Sequence, residues 1–282
     1  MNLSIIIVNY KTPHLTMRCI GGIYDKSDSE IDFEIIVVDN NSLDNSKNII
    51  TGKFPNVIWI DNHLNEGFGR ANNLGIKIAC GEFILLLNSD IVVSIDTIYK
   101  SLKMAKFHSN IGVVGCKLVN EDGSDQNSYF SIASFNYLLN QNLFIDKFLK
   151  CKNDFKFSIM GSYMLFPKSV LDEVGDFDPD FFMYCEELEL CNRILNKGYT
   201  ISVDQKVSAI HAHGASSSVN WANHQKMVSN ALLFLKVHGY FGYILYHFLC
   251  IINAFSNFFL MWFVGKSYRK GFFQTQYYYF SN

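Results

Sequence analysis

Short apolar runs alternate with stretches of helical period along most of the chain. "LSIIIVNY" (3–10), "FEIIVVDNNS" (33–42), "NVIWIDN" (56–62), "EFILLLNSDIVV" (82–93) and "IGVVGCKLV" (111–119) are near-continuous apolar runs, as buried strands require. Thr12-Pro13 supplies an N-cap and a proline at the first helical position, which predicts a helix to Tyr24. A helix of about ten residues is expected from Ser42, and another near 95–108. "GFGRANNLGIKIACG" (67–81) fits a helix with Ala71, Leu74 and Ile78 inward and Gly81 as its stop. Residues 120–157 are irregular and read as a mobile connection over the site. "FSIMGSYMLF" (157–166) returns to strand, "PKSVLDEVG" (167–175) is a short helix, and "YTISVDQKVSAIHAHGASS" (199–217) is the last strand-like stretch.

This alternation predicts an α/β fold: a mostly parallel central sheet covered by helices on both faces. Ligands of such sheets sit beyond the carboxyl ends of the strands. Four predicted strands end there in polar tips: Asn9-Tyr10, Asp39-Asn40-Asn41-Ser42, Asp61-Asn62 and Asn88-Ser89-Asp90. Turn chemistry explains any one of these tips. Four together point to a binding edge.

Composition narrows the function classes. The 282 residues are 49% hydrophobic and 15% aromatic, which excludes a disordered chain. A formal net charge of −2 argues against a nucleic-acid binder. The seven cysteines show no CxxC or zinc-finger spacing and read as reduced thiols of a cytoplasmic protein. "MNLSIIIVNY" lacks the basic region of a signal peptide, so the N-terminus is expected in the cytosol.

Among chemical candidates, Asp90 closes a buried strand where a carboxylate can hold Mg²⁺ or Mn²⁺ against a diphosphate. "GFGRANNLG" follows a polar loop rather than a strand, so it is no dinucleotide fingerprint. A phosphate can still approach that helix N-terminus beside Arg70. His211 and His213 follow an apolar strand, and either is a candidate third ligand of the same ion. No P-loop, G-x-S-x-G elbow or H-E-x-x-H occurs. In "FFMYCEELELCNRILNKG" (181–198), Glu186, Glu187 and Glu189 open a helix, where acidic residues suit the dipole. Glu189 and Arg193 form an ordinary i,i+4 pair.

The succession "IIIVNY", "IIVVDNNSLDNS", "NEGFGRANNLGI", "GEFILLLNSD", "GSYMLFPKSVLDEVGDFDPDFFMYCEELELCNRILNKGY" and "IHAHGASS" resembles the family 2 glycosyltransferases. Within them it is most similar to rhamnosyltransferase-type enzymes of bacterial surface polysaccharide synthesis. The resemblance covers residues 3–217 and implies a GT-A fold, a UDP- or dTDP-sugar donor, Mn²⁺ or Mg²⁺, and inversion at the anomeric carbon. Carried over, Asn9, Asp39, Asn41, Asn65, Gly67, Arg70, Asn88, Ser89 and Gly161 would bind the nucleotide-sugar, with Asp39 reading the pyrimidine. Asn88-Ser89-Asp90 stands at the family's D-x-D, with Asn88 in place of its first Asp, and Asp90 would hold the metal. His211, with Gly214 and Ser216, fits the H-x-x-G-x-S pattern and is the preferred second ligand over His213. The Glu-Asp pair falls on Glu186-Glu187, which makes Glu187 the expected base and Glu186 the group orienting the acceptor, or its alternative.

From Gly239 to Gly265 the chain carries no Lys, Arg, Asp or Glu, and basic Lys266, Arg269 and Lys270 follow. Tyr243, His247, Cys250, Asn253 and Asn257 leave a weakly polar stripe. The expected organisation is a GT-A domain over 1–220 and an apolar helical tail over 221–282. That tail is read as lying on the membrane interface, with a bilayer span, or packing on the domain or in a homodimer, as alternatives. The expected activity is transfer of rhamnose or another hexose to a lipid-linked glycan at the cytoplasmic face. A nucleotidyltransferase is the enzymatic rival, but "NYKTPHL" lacks the Gly-rich basic loop it needs. A degenerate nucleotide-sugar-binding subunit is the other, supported only by Asn88 and Glu187.

Overall fold

The computed structural model describes residues 1–25, 31–131, 157–212 and 219–264. Internal contacts divide the chain into two compact units. The first holds Met1–Phe130, Phe157–Phe182 and Glu186–Ser216; the second, among the described residues, holds Ser131, Met183–Cys185 and the helical stretch Val219–Val264.

The first unit is built on an eight-stranded sheet. Its strands are β1 (Leu3–Asn9), β2 (Phe33–Asp39), β3 (Ile58–Asp61), β4 (Phe83–Asn88), β5 (Ile91–Val92), β6 (Ile111–Val119), β9 (Tyr163–Pro167) and β10 (Thr200–His211). They lie in the order β3-β2-β1-β4-β9-β6-β10-β5. β3, β2, β1 and β4 run parallel to one another, β6 runs parallel to β10, and β9 is antiparallel to β4 and β6. A separate two-stranded sheet joins β7 (Tyr129–Ser131) and β8 (Phe157–Ile159).

Both faces of the sheet are covered, as the unbroken apolar runs require. Ile5 and Ile7 share one core with Cys19, Ile20 and Ile23 of α1 (Pro13–Tyr24) and Ile98 and Leu102 of α4 (Ile95–Phe107). Ile6, one residue out of phase, faces Gly75 of α3 (Phe68–Ile78). Two shorter helices are α2 (Ser46–Lys53) and α5 (Lys168–Val174), and α6 (Glu186–Asn196) packs Ile194 against Gly112 of β6. Burial pushes the thiol pKa of Cys19 and Cys116 upward and that of Cys191 up to about 11, so these cysteines behave as small apolar core groups.

Several boundaries differ from the expectations, each for a local reason. α2 starts at Ser46 rather than Ser42, because the Ser42 hydroxyl is engaged with Asp39, Asn9 and the Lys11 amide. Thr12 precedes α1 but makes no side-chain cap; its hydroxyl meets Ser89 Oγ at 3.0 Å instead. The inner face of α3 is Gly69, Ala71, Asn72, Gly75 and Ile76, while Ile78 is exposed. Close approach to Ile6 selects small residues there over Leu74 and Ile78. Gly81 does not end the helix. A Cβ at Gly81 would lie 2.4 Å from the Ser4 amide nitrogen, so glycine lets this turn pass against β1. The run 82–93 is two strands broken at Ser89-Asp90, since β5 leaves the parallel set to pair antiparallel with β10. The run 157–166 likewise splits into β8 and β9 around Gly161. Of the expected connection 120–157, residues 120–131 form an ordered turn and β7, and 132–156 lie outside the described residues. β10 ends at His211; 213–217 of the expected strand lie outside the described residues.

In the second unit, Gly239 (φ 67°) interrupts Val219–Val264, leaving α7 (219–238) and α8 (240–264). Ser229 of α7 donates to the Met183 carbonyl (2.7 Å), and Lys226 Nζ lies 5.1 Å from the centroid of the Tyr184 ring. By length and composition alone, Asn220–Phe255 is apolar enough to cross a membrane. Along α8 the exposed positions are aromatic or aliphatic: Tyr240, Phe241, Tyr243, Ile244, Phe248, Ile251 and Phe255. Of the expected polar stripe, Tyr243 is exposed and His247, Cys250 and Asn253 are only half-exposed.

Candidate active site

Register alone gathers the polar tips. Asn9 pairs with Asp39, Asp39 with Asp61, and Val8 with Asn88, so β1 to β4 end in one row. β6 and β10 run in the same sense and bring Val119 and His211 to that edge. β9 runs the other way and starts there, where the Asn88 amide donates to the Ser162 carbonyl (3.1 Å).

The β1 and β2 tips form a closed polar cluster. Buried Asn9 donates to Asp39 Oδ1 (2.7 Å), and Thr16 donates to Asn9 Oδ1 (2.8 Å). Asp39 Oδ1 also accepts from the Ser42 hydroxyl (2.5 Å) and Oδ2 from the Ser42 amide (3.0 Å). Lys11, Asn41 and Leu43 sit in the left-handed region, with φ of 58°, 64° and 53°. Strained backbone on both loops is held by this cluster rather than by glycine. The third tip is taken: Asp61 accepts from Lys47 Nζ and from Trp59 Nε1 (2.7 Å), which together hold its carboxyl below its usual pKa.

Buried Asn40 ties this cluster to the next. Its amide donates to Asn65 Oδ1 (2.9 Å) and the Gly67 carbonyl (3.0 Å), and its Oδ1 accepts from Asn62 and the Glu66 amide. Gly67 has φ 85°, and a Cβ there would fall 1.7 Å from the Phe182 carbonyl oxygen, so no side chain fits. The Arg70 guanidinium donates to the Pro179 carbonyl (2.5 Å), and Asn73 clamps both main-chain groups of Phe177. Together they fix the 175–182 loop against α3.

That loop leads towards α6 and its acidic first turn. Glu186 is 3% exposed, with its Cβ 3.8 Å from where a Cβ on Gly69 would stand. Glu187 is half-buried, with its Cβ 3.8 Å from the equivalent point on Gly161, which also faces the Phe68 ring at 3.6 Å. Glu189 turns away from this edge into a bidentate pair with Arg193 Nε (2.8 and 2.9 Å). The same guanidinium donates to the carbonyls of Val174, Gly175 and Asp176, at 2.5, 2.9 and 2.6 Å.

Asp90 and His211 meet on the other side of the edge. His211 Nε2 lies 3.5 Å from Asp90 Oδ1, and their side chains are 8% and 15% exposed. The Ala212 amide donates to the Asp90 carbonyl (3.1 Å), locking β5 to the end of β10. Gln126 Oε1 stands 3.0 Å from His211 Nδ1. Among the described residues no group of three or more His, Cys, Asp or Glu forms a metal cage. An oxygen and an imidazole nitrogen side by side fit a hard cation that draws its remaining ligands from diphosphate and water. His213 lies outside the described residues.

Thus Asn9, Asp39, Asn65, Gly67, Asn88, Ser89, Asp90, Gly161, Glu186, Glu187 and His211 share one edge of the sheet, and Arg70 braces its wall. Thr12, Asn40, Ser42 and Gln126 hold these groups in place, a role not read from the sequence, where Thr12 stood as a helix cap and Asn40 and Ser42 as parts of a polar tip. Ser42 and Asn40 sat in a tip rich enough in Asx to have been considered; Gln126 carried no signal.

Residues 4–175 match the model of glycosyl transferase family 2. The low-salt glycan biosynthesis hexosyltransferase Agl10 of Haloferax volcanii is 28% identical over 216 residues, 74% of this chain and 67% of that protein. The rhamnosyltransferase WbbL of Escherichia coli K12 is 27% identical over 164 residues, covering 51% of this chain and 60% of its own. The chain therefore spans about two thirds or less of the length of these relatives. Among solved structures, the mannosyltransferase PcManGT of Pyrobaculum calidifontis, in complex with GDP-Man and Mn²⁺, superposes with a TM-score of 0.63. It is 15% identical, covering 98% of this chain and 84% of that one, a likeness of fold. With the sheet order, the gathered strand tips and a family match over most of the sheet, this chain belongs to the family 2 glycosyltransferases and has their GT-A fold.

Proposed function

We propose that this chain is an inverting glycosyltransferase that moves rhamnose or another hexose from a UDP- or dTDP-sugar to a hydroxyl of a lipid-linked surface glycan. The observation that carries the reading is the convergence of the Asp90–His211 pair and Glu187 on the sheet edge that also holds Asn9 and Asp39.

Asp39, fixed by Asn9 and Ser42, presents its carboxylate to a nucleobase at the β1/β2 tips. Asp90 and His211 would hold Mn²⁺ or Mg²⁺, which when bound stabilises charge on a departing diphosphate. Glu187, in the first turn of α6, takes the proton of the attacking hydroxyl. Glu186 is packed at the base of the same turn and orients the acceptor side.

Thermal unfolding with UDP, dTDP or GDP, with and without Mn²⁺, tests this reading. A nucleotide at 100 times its Kd adds about 2.7 kcal/mol of stability. UDP or dTDP is expected to raise Tm, more so with Mn²⁺, and Asp90→Asn to remove the Mn²⁺-dependent part. A larger rise with GDP would overturn the donor assignment; a rise that Mn²⁺ leaves unchanged would favour the degenerate nucleotide-sugar-binding subunit, and no rise with any nucleotide would overturn the reading.

The acceptor side of the proposal draws on α8. A water-facing helix exposes polar positions, whereas α8 buries Tyr246 and Leu249 and still leaves Tyr240, Phe241, Tyr243, Ile244, Phe248, Ile251 and Phe255 exposed. With no charge from 239 to 265 and three basic residues just after, this face suits an anionic lipid interface at the cytoplasmic membrane. The protein is expected to float with phosphatidylglycerol vesicles. A variant with Asp at Phe241, Ile244 and Phe248 should lose at least tenfold in binding, since each buried apolar side chain contributes roughly 1.5–3 kcal/mol. Equal flotation of both proteins would sink the assignment.

A further inference from the structure

We propose that Gln126 is a positioning residue that sets which nitrogen of His211 carries the ring proton, and so keeps the Nε2 lone pair toward Asp90; its consequence for metal binding rests on the reading of Asp90 and His211 as ligands. Gln126 stands just beyond a tight turn that follows β6. The Asn120 amide donates to the Ser124 carbonyl (2.8 Å), and the Gln126 amide donates to the Leu118 carbonyl (2.9 Å). Its main chain is thus held at the end of the central sheet.

The side chain then makes a reciprocal pair with a single residue. Gln126 Nε2 donates to the His211 carbonyl (2.8 Å) and to Asn120 Oδ1 (2.5 Å), while Oε1 faces His211 Nδ1 at 3.0 Å. A main-chain carbonyl only accepts, so the amide has one orientation. Oε1 is therefore the acceptor and Nδ1 the donor. In the neutral ring the lone pair then lies on Nε2, the atom 3.5 Å from Asp90 Oδ1. A lone pair and a carboxylate oxygen set side by side attract a cation between them.

Without Gln126 the ring can place its proton on Nε2 and donate it to Asp90. That hydrogen bond closes the pair on itself and withdraws both ligand atoms. Gln126 prevents this state, as the partners of metal-bound histidines generally do by holding the other ring nitrogen.

The test compares wild type, Gln126→Leu and Gln126→Glu, with His211→Gln to assign the signal. Long-range ¹H–¹⁵N spectra of the histidine rings, recorded on metal-free protein, read the tautomer directly. His211 is expected to carry its proton on Nδ1 in wild type and in Gln126→Glu, which keeps an acceptor, and to shift to Nε2 in Gln126→Leu. Mn²⁺ binding in the presence of UDP, followed by water proton relaxation, should weaken about 10- to 100-fold in Gln126→Leu and recover in Gln126→Glu. An Nδ1 proton retained in Gln126→Leu overturns the proposal, as does a changed tautomer with unchanged Mn²⁺ affinity. A Gln126-dependent tautomer in a wild-type protein that binds no Mn²⁺ supports the positioning role and overturns the metal reading instead.

Discussion

Glu187→Gln is expected to lower turnover by about 10²- to 10⁴-fold, the usual contribution of a general base, with UDP or dTDP stabilisation unchanged. Glutamine keeps the shape and the hydrogen-bonding reach of the side chain and removes only its capacity to take a proton. Adjacent residues on a helix point about 100° apart, so Glu186 and Glu187 cannot serve one acceptor atom equally. Glu186 is nearly inaccessible, packed beside Gly69, whereas Glu187 is half-buried beside Gly161 at the β8/β9 break. Its place in the first turn of α6 sets it at the positive end of the helix dipole. Glu186→Gln should weaken acceptor use through KM more than through kcat. Initial rates for both variants, beside nucleotide-dependent Tm shifts, separate the roles; full turnover in Glu187→Gln would remove it as the base.

What the sequence disclosed follows from which interactions are local. The buried strands were visible because a strand covered on both faces has almost no polar position to hide it. The strand tips were visible because the register of a parallel sheet turns chain position into a common edge: Asn9, Asp39 and Asn88 lie far apart in sequence and in one row in space. The break at Ser89-Asp90 was hidden, because the apolar residues beyond it pair with β10, a contact between segments more than a hundred positions apart. The inner face of α3 was misjudged for a packing reason. Hydrophobicity selects Leu74 and Ile78, but the distance to Ile6 admits only the small side of the helix. Gln126 was silent because its partner is 85 residues away and its type is common at surfaces. The order of the motifs carried the family even so, since six short segments in sequence are far more specific than any one of them.

Arg193→Ala is expected to cost about 3–5 kcal/mol of stability, the loss found when one partner of a buried ion pair is removed. The Glu189 side chain is only 9% exposed, so its carboxylate would be left without a counter-charge where water cannot replace it. Three carbonyls at the end of α5 lose their donor in the same substitution, those of Val174, Gly175 and Asp176. Arg193→Lys should recover little, because an ammonium cannot bridge a carboxylate and three carbonyls with one planar fork. Glu189→Gln should cost less, since the guanidinium keeps its carbonyl partners, and the double variant Arg193→Ala with Glu189→Gln should be more stable than Arg193→Ala alone. Urea unfolding of the four proteins gives the coupling energy directly. A loss below about 1 kcal/mol would place the pair with solvent-exposed bridges. Turnover per folded molecule should hold in Glu189→Gln and collapse in Glu187→Gln, though the two glutamates share one helical turn. That contrast follows from where each residue sits, Glu189 paired with Arg193 at the α5/α6 junction and Glu187 beside Gly161 at the sheet edge.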